Sequence, residues 1–589
     1  MRNRDPLQKP AAGLNGLLGH VGADLSPHEV RAAAHLLHGP EPCRVLHGPG
    51  WALAAGRLSG DGGVTAAFHG DIDNRLVLFT RLEAGGHPVA DRDTAAVVRS
   101  AYRADGHAFA ARIDGAYAAA VVDEQAGPLL VLATDPAGAT PLYYHWDASR
   151  GRLRFATQIP ALLMLIGNRP ALWEPGLDAY LTAGVPLAGR TLFDGIRALP
   201  PGTTALCSRS GLRLIPRTSP AAPADDPAGH GRRPPDLLGE VRRYAGGTAH
   251  GPACVLGSAS PGAGLVAELA TLARPELPAV PPPDRSGRPA GLDPARLPEV
   301  LPHLAWVLGQ PDPDPAALIT YAQVDGARRE GFRTVLDAGA VDGIIAARAR
   351  VDAAVAGGAE WLTGYAGALA PVPAATRFRL YSSDYRAYLA DRAASADPGG
   401  EGRTGPAGSC GAPGSLAQLL CAPPGGGCRR AALTALELGD LLPARVLRRV
   451  AHIGGAHGVR ARLLLPPHTV WSAAPALTGG RLPAPGAGGP LSGLLTGAGP
   501  LAGFVRDVLA PERLRASGLL DPVAVNRLLV AQAARPDDRR AATVWSLMMF
   551  ELWREEYGLT PGSRSAGRPR RARTPAGLPA IQRRPPILS

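Results

Sequence analysis

Lysine is almost absent from this 589-residue chain: Lys9 is the only one, so nearly all of the 62 basic residues are arginine. A Schiff-base lysine, or the lysine of a phosphate-cradling P-loop, is therefore excluded beyond the extreme N-terminus. Aromatic residues make up only 5 %. None interleaves the C-terminal arginines, which leaves no platform for stacking on bases there. Long apolar runs are missing too. No stretch reaches the roughly 18 residues a membrane span needs, and the opening MRNRDPLQKPAAGLNGLLGHVG has no apolar core of a secretory signal, so a cytoplasmic protein with no membrane span is expected. The six cysteines form no CxxC. Cys410, Cys421 and Cys428 stand in a Gly/Pro-rich stretch without histidines at metal-ligand spacing, so free thiols in a reducing compartment are expected.

Gly and Pro are abundant instead, at 74 and 60 residues. Such a composition without a period usually marks low complexity. Here 46 % hydrophobic residues argue against disorder along the whole chain, and the lack of a three-residue glycine period excludes collagen. The length predicts about two to four domains. The net charge of +12 is uneven, because Arg564, Arg568, Arg570, Arg571, Arg573, Arg583 and Arg584 fall in a tail without a single acid. That tail reads as a solvated basic arm with no specific nucleic-acid site.

Short apolar runs bounded by turn signals predict strands at Ala66–Phe68, Leu129–Ala133 and Arg154–Ala156. Amphipathic spacing predicts helices at Thr94–Tyr102 and Glu174–Leu181. A Pro-rich linker follows from Arg217 to Pro235. The run Ala253–Leu256, a loop of small residues Gly257–Gly264 and a helix Leu265–Leu272 then form a parallel α/β unit, and Val335–Leu336 opens a second. Residues 501–557 read as helical, with Trp545, Leu547, Met548, Phe550, Leu552 and Trp553 as an apolar face.

Several segments, in order, resemble the asparagine synthetase family, which includes β-lactam synthetases and lasso-peptide macrolactam cyclases. FHGDIDN (Phe68 to Asn74), DRDT (Asp91 to Thr94), DGAYAAAVVD (Asp114 to Asp123), ATDPAGATPLYY (Ala133 to Tyr144) and GRLRFATQI (Gly151 to Ile159) resemble its glutamine-amidotransferase domain. GQPDPDPAALITY (Gly309 to Tyr321), the stretch from Leu441 to Leu463 and that from Phe504 to Leu529 resemble its synthetase domain. The resemblance implies an α/β plus α+β fold: an N-terminal-nucleophile-type αββα sandwich, then an α/β adenylating domain rich in helices. It divides the chain into an amidotransferase-like domain at 13–215, a linker at 216–235, a first synthetase-like part at 236–392, a disordered Gly/Pro insert at 393–430, a helical second part at 431–558 and a basic tail at 559–589. It also implies ATP and Mg2+ as cofactors, a small carboxylate or precursor peptide as substrate, a biosynthetic partner protein, and amide formation through an acyl-adenylate. In a diverged member lacking glutaminase, that chemistry closes a ring.

The matched positions depart from the family in specific ways. Asn15 stands where the glutaminase needs its cysteine, so no glutamine hydrolysis is expected. Arg57 and Asp93 match the glutamine clamp, and His69-Gly70 the oxyanion pair, together a vestigial glutamine pocket. The pyrophosphate loop maps to Leu256, Ser258, Ser260 and Gly262, with Gly262 in place of a metal-binding carboxylate. The second metal motif is DAGAVDG, where Ala338 and Gly339 flank the nucleotide and Asp342 keeps the metal position, but Gly343 replaces a glutamate. Arg449 takes the place of a pyrophosphate-facing lysine, His457 and Arg462 remain, Ala451 replaces an aspartate, and Arg460 reverses the charge of a glutamate. Arg449 and His457 are thus the candidate catalytic residues. Two readings follow: a diverged ATP-dependent carbon–nitrogen ligase, or a pseudoenzyme scaffold that binds a peptide or protein partner.

Overall fold

The computed structural model describes residues 16–22, 26–37, 43–89, 93–167, 171–217, 236–246, 252–257, 260–280, 293–395, 429–478, 495, 499 and 501–559. Twelve strands make the first unit: β1 (Leu17–Val21), β2 (Arg44–Gly48), β3 (Trp51–Ala55), β4 (Arg57–Asp61), β5 (Val64–Gly70), β6 (Tyr117–Asp123), β7 (Leu129–Thr134), β8 (Tyr143–Asp147), β9 (Arg152–Ala156), β10 (Ile196–Ala198), β11 (Thr203–Ser208) and β12 (Gly211–Pro216). They form two six-stranded antiparallel sheets, ordered β10-β8-β9-β1-β3-β2 and β12-β11-β7-β6-β5-β4.

Alternation along each strand builds the layers. Ala118, Ala120 and Val122 of β6 face the other sheet, where they meet Leu17, Leu53 and Phe155. Ala119 and Val121 face outward, against Leu78 and Leu82 of the helix Arg75–Ala84 and Val97 and Ala101 of the helix Thr94–Asp105. On the far side, Leu18, Ala52 and Ala54 pack under Val30 and Ala33 of the helix Pro27–Ala34 and Leu162 and Leu165 of the helix Ile159–Ile166. The small side chains of β6 let the sheets approach closely. Each large buried partner, such as Phe155, contributes about 1.5–3 kcal/mol of transfer free energy. The result is helix, sheet, sheet, helix.

The second unit holds a four-stranded parallel sheet ordered β14-β13-β15-β16, from β13 (Ala253–Leu256), β14 (Ala279–Val280), β15 (Thr334–Asp337) and β16 (Arg460–Leu463). β13 and β15 are buried on both faces, as crossover helices require. The helix after β13 spans Pro261–Ala273, four residues earlier than its periodicity predicts. Ser260 caps it, its hydroxyl accepting from Ala263 N at 3.2 Å, and Pro261 fits the first turn where no N–H is needed. The helix Asp538–Glu556 is buried around most of its circumference rather than along one face.

The two units share one apolar core. Phe193 meets Trp553 edge-on at 5.0 Å, Trp553 Nε1 donates to Gly309 O at 2.9 Å, and Gln310 Oε1 accepts from Leu192 N at 3.0 Å. Arg217, expected at the start of the linker, is instead packed: it lies over the Tyr117 ring and donates to the Tyr117 hydroxyl at 2.8 Å. Most of the expected linker, most of the 393–430 insert and nearly all of the basic tail lie outside the described residues, as do Asn15 and Ser258, but Arg429 and Arg430, expected in the insert, open the helix Arg429–Leu436. Among the described residues, no helix is long and apolar enough to cross a membrane.

Candidate functional site

The glutamine-pocket residues gather at one end of the second sheet. Arg57 opens β4 opposite Phe68 of β5, and its Nη1 donates to Gly70 O at 2.7 Å. Gly70 has φ +115°, and a Cβ there would run into the Ala116 carbonyl, so glycine is required where the chain leaves the sheet. Asp93 occupies the N-cap position of the helix Thr94–Asp105. Asp135 fixes the neighbouring loop: its carboxylate accepts from the backbone of Ala137, Ala139 and Thr140 at 3.0–3.1 Å and of Tyr117 at 3.3 Å. Complete burial pushes its pKa up to about 6 against those four donors.

A cavity of about 60 Å³ lies between the units, with room for a few waters. His69, Gly70 and Asp71 line it from the first unit, His452 and Arg460 from the second. His452 is 6 % exposed and neither ring nitrogen completes a hydrogen bond, although the carbonyls of Thr157 and Leu308 lie nearby. Burial, seconded by the Arg448 charge, pushes its pKa down to about 3, so the ring is neutral. Beside the cavity two arginines of β16 cross to the first unit. Arg460 pairs with Asp71 at 3.2 Å, and Arg462 pairs with Asp73 and, at 3.6 Å, with Asp71.

Among the described residues, the side chains expected to bind nucleotide meet partners within the protein. The Ser260 hydroxyl donates to Asp342 Oδ1. A Cβ at Gly262 would stand 2.5 Å from Ile345 Cδ1, so the helix Pro261–Ala273 presses against the helix Ala340–Ala356 where the family has a carboxylate. Gly343 is likewise filled: its Cβ would stand 2.8 Å from Val446 Cγ2. Leu256 ends β13 inside the core, Ala338 is buried, and Gly339 N donates to Asp337 at 2.7 Å. Burial pushes the Asp337 pKa up to about 6, against the N–H groups of Gly339 and Ala340 and the Arg449 charge. Arg449 is 9 % exposed. Its guanidinium forks onto Asp312 at 3.0 and 3.2 Å and reaches Asp314 at 3.0 Å. His457 sits apart, its ring edge-on to Tyr321 at 4.7 Å and Nδ1 3.8 Å from Asp325; burial pushes its pKa down to about 4.

A family described as "Glutamine amidotransferase domain" matches residues 57–217. The first unit resembles a class II glutamine amidotransferase domain. Among solved structures, the chain is 15 % identical to the glutamine phosphoribosylpyrophosphate amidotransferase of B. subtilis, covering 45 % of this chain and 65 % of that one at a TM-score of 0.25. It is 14 % identical to an allosteric regulatory enzyme of purine biosynthesis, over 45 % of this chain and 64 % of that one, also at 0.25. A class II glutamine aminotransferase domain protein from silicibacter pomeroyi is 13 % identical, over 35 % and 97 %, at 0.20. The chain thus spans just under two thirds of the first two structures. No curated protein matches it in sequence.

In this amidotransferase-like unit, the structure joins Arg57 to Gly70 and brings His69 and Gly70 to the same cavity as His452. In the second unit it joins Ser260, Gly262 and Asp342, and it leaves His457 outside that cluster. Sequence reasoning missed the acids that hold the arginines. Asp312 and Asp314 lie inside the quoted GQPDPDPAALITY, and Asp71 and Asp73 inside FHGDIDN. The legible signal was complementarity: arginines in one segment, acids spaced by two in another.

Proposed function

We propose that this chain is a two-unit, asparagine-synthetase-like protein that neither hydrolyses glutamine nor turns over magnesium–ATP, and that it serves as a scaffold binding a small carboxylate or a peptide in a biosynthetic pathway. One observation carries the reading: the two groups expected to hold magnesium and triphosphate are engaged within the protein, and the place of a further carboxylate is filled. Asp342 is bonded to Ser260, the place of the other carboxylate is filled by Ile345, and Arg449 is neutralised by Asp312 and Asp314. Magnesium and triphosphate do not fit such a site. Among the described residues, no group of three or more His, Cys, Asp or Glu is placed to hold a metal ion. A triphosphate would have to break a buried ion pair to reach Arg449, and breaking such a pair costs about 3–5 kcal/mol. Asparagine 15 adds the second half, since an amide cannot attack glutamine.

One observation favours a diverged ligase instead. Asp337 and Asp342 lie at the C-terminal end of β15, the end of a parallel sheet where ligands bind. Exchange of radiolabelled pyrophosphate into ATP, with magnesium and a panel of carboxylates and peptides, separates the two readings. No exchange with any of them, together with no ammonia release from glutamine, is expected of the scaffold. Exchange above background with one carboxylate establishes the ligase.

A further inference from the structure

The outer face of the first sheet carries a row of polar side chains that the site above does not use. Register places His145 of β8, Arg154 of β9 and His20 of β1 directly opposite one another on one face, continuing to Ala52 and His47. Directly opposed residues have Cβ atoms only about 5 Å apart, so the three side chains form one contiguous group. His20 is 1 % exposed, and among the described residues neither of its ring nitrogens has a hydrogen-bond partner. Among the described residues Arg154 makes no hydrogen bond or ion pair, and its Nε is buried without an acceptor. The Nδ1 of His145 is also buried and unbonded, while its ring edge lies against Gly195, where φ is +76° and no side chain intrudes.

Three adjacent residues with unmet buried hydrogen-bonding groups carry the full desolvation cost of those groups unless a ligand meets them. The groups are of one kind: a guanidinium that only donates, and two imidazoles each able to donate once when neutral. Among the described residues, no nearby acid completes the set. Glu29 on the overlying helix is exposed and forms no ion pair with Arg154, and Asp194 forms none with His145. Asp147 is engaged by Ser149, accepting from its hydroxyl at 2.6 Å. Arg150 and Arg152 add positive charge to the same end of the sheet.

We propose that Arg154, His20 and His145 form a binding site for an oxyanion, the phosphate or carboxylate group of a small metabolite. Arg154 supplies the charge and the forked donors, and the two histidines close around the anion from either side. The site lies on the outer face of the first sheet and does not depend on the reading of the nucleotide region.

Calorimetric titration of inorganic phosphate, and separately of acetate, into the full chain at pH 7 tests this. Saturable binding of one or both is expected, and the stronger ligand tells phosphate from carboxylate. Arg154→Gln should weaken that binding more than about tenfold, since a hydrogen bond to a charged group contributes about 1.5–3 kcal/mol. Arg213→Gln, exposed on β12 of the other sheet, should leave it unchanged. Glu29→Gln, exposed on its helix, should tighten binding about two- to fivefold by removing a competing charge that acts on Arg154. No saturable binding of either ion, or equal affinity in the wild type and Arg154→Gln, overturns the proposal. Should Arg154→Gln fail to fold, unchanged affinity in Glu29→Gln overturns it.

Discussion

Replacing Arg449 by methionine separates a locked structural cation from a residue held ready for phosphate. Arg449 is 9 % exposed and its main partner Asp312 only 2 %, so the pair is dry on both sides. Asp314 is 45 % exposed and adds less. Methionine fills most of the arginine stem's volume, so the loss is electrostatic: a buried carboxylate left without its cation. Removing one partner of such a pair costs about 3–5 kcal/mol, a large share of the roughly 5–15 kcal/mol that holds a typical domain folded. Urea denaturation of the full chain, followed by tryptophan fluorescence and circular dichroism, should show that loss at pH 7. Its pH dependence adds a second readout. Burial is the largest influence and would raise the Asp314 carboxyl, but Arg449, the Ala316 N–H and Arg445 together hold it below the usual carboxylate range. A depressed folded pKa gives stability that is full above the unfolded value near 4 and is lost as pH falls through the folded one. An uncompensated buried carboxylate takes up a proton above pH 4, so the gap between wild type and Arg449→Met should narrow as pH falls from 7 and narrow further below about 4. A variant within about 0.5 kcal/mol of wild type at pH 7 would refute the reasoning, because it would mean the guanidinium is not bound to these acids.

Four-fold backbone acceptance makes Asp135 irreplaceable even by its isostere. Asp135→Asn turns one oxygen into a donor facing donors, and should cost about 2–4 kcal/mol in the same denaturation assay. For His452, Leu should be neutral or stabilising near pH 8, because neither ring nitrogen is bonded. Its folded pKa of about 3 lies below the ordinary 6.5, so wild-type stability from this group is full above pH 6.5 and falls with acid. At pH 5 the balance should have moved by about 2 kcal/mol in favour of His452→Leu relative to pH 8. Reversing Arg460 and Arg462 together to glutamate sets like charges against Asp71 and Asp73 and should split the thermal unfolding of the two units in calorimetry. Adding Asp71→Arg and Asp73→Arg should restore a single transition.

Much of the architecture was legible because the sequence obeys local rules. The strand at Leu129 and the helix at Thr94 fall where alternation and helical spacing place them, and β13 spans Ala253–Leu256 as read. The early start of the helix after β13 was missed because the small residues Gly257–Gly264 read as a loop; Ser260 followed by Pro261 was the local signal for a cap. The site was less legible for a different reason. Which arginines stand free depends on which acids face them across the fold, and Asp312 is 137 residues from its partner Arg449. Nothing in the spacing near Arg449 announces a pair formed by a Pro-Asp-Pro-Asp loop. The change at Arg460 reads in sequence as a broken catalytic position, and in the structure as half of an ion bridge to Asp71. Loss of one role and gain of another occupy the same residue, and only the fold distinguishes them.

The central proposal, that the region expected to hold nucleotide is shut by its own side chains, is tested most directly by calorimetric titration of magnesium–ATP into the full chain at pH 7. The account predicts no saturable heat. Saturable binding that is lost on chelating magnesium, and lost again in Asp342→Asn, would contradict it.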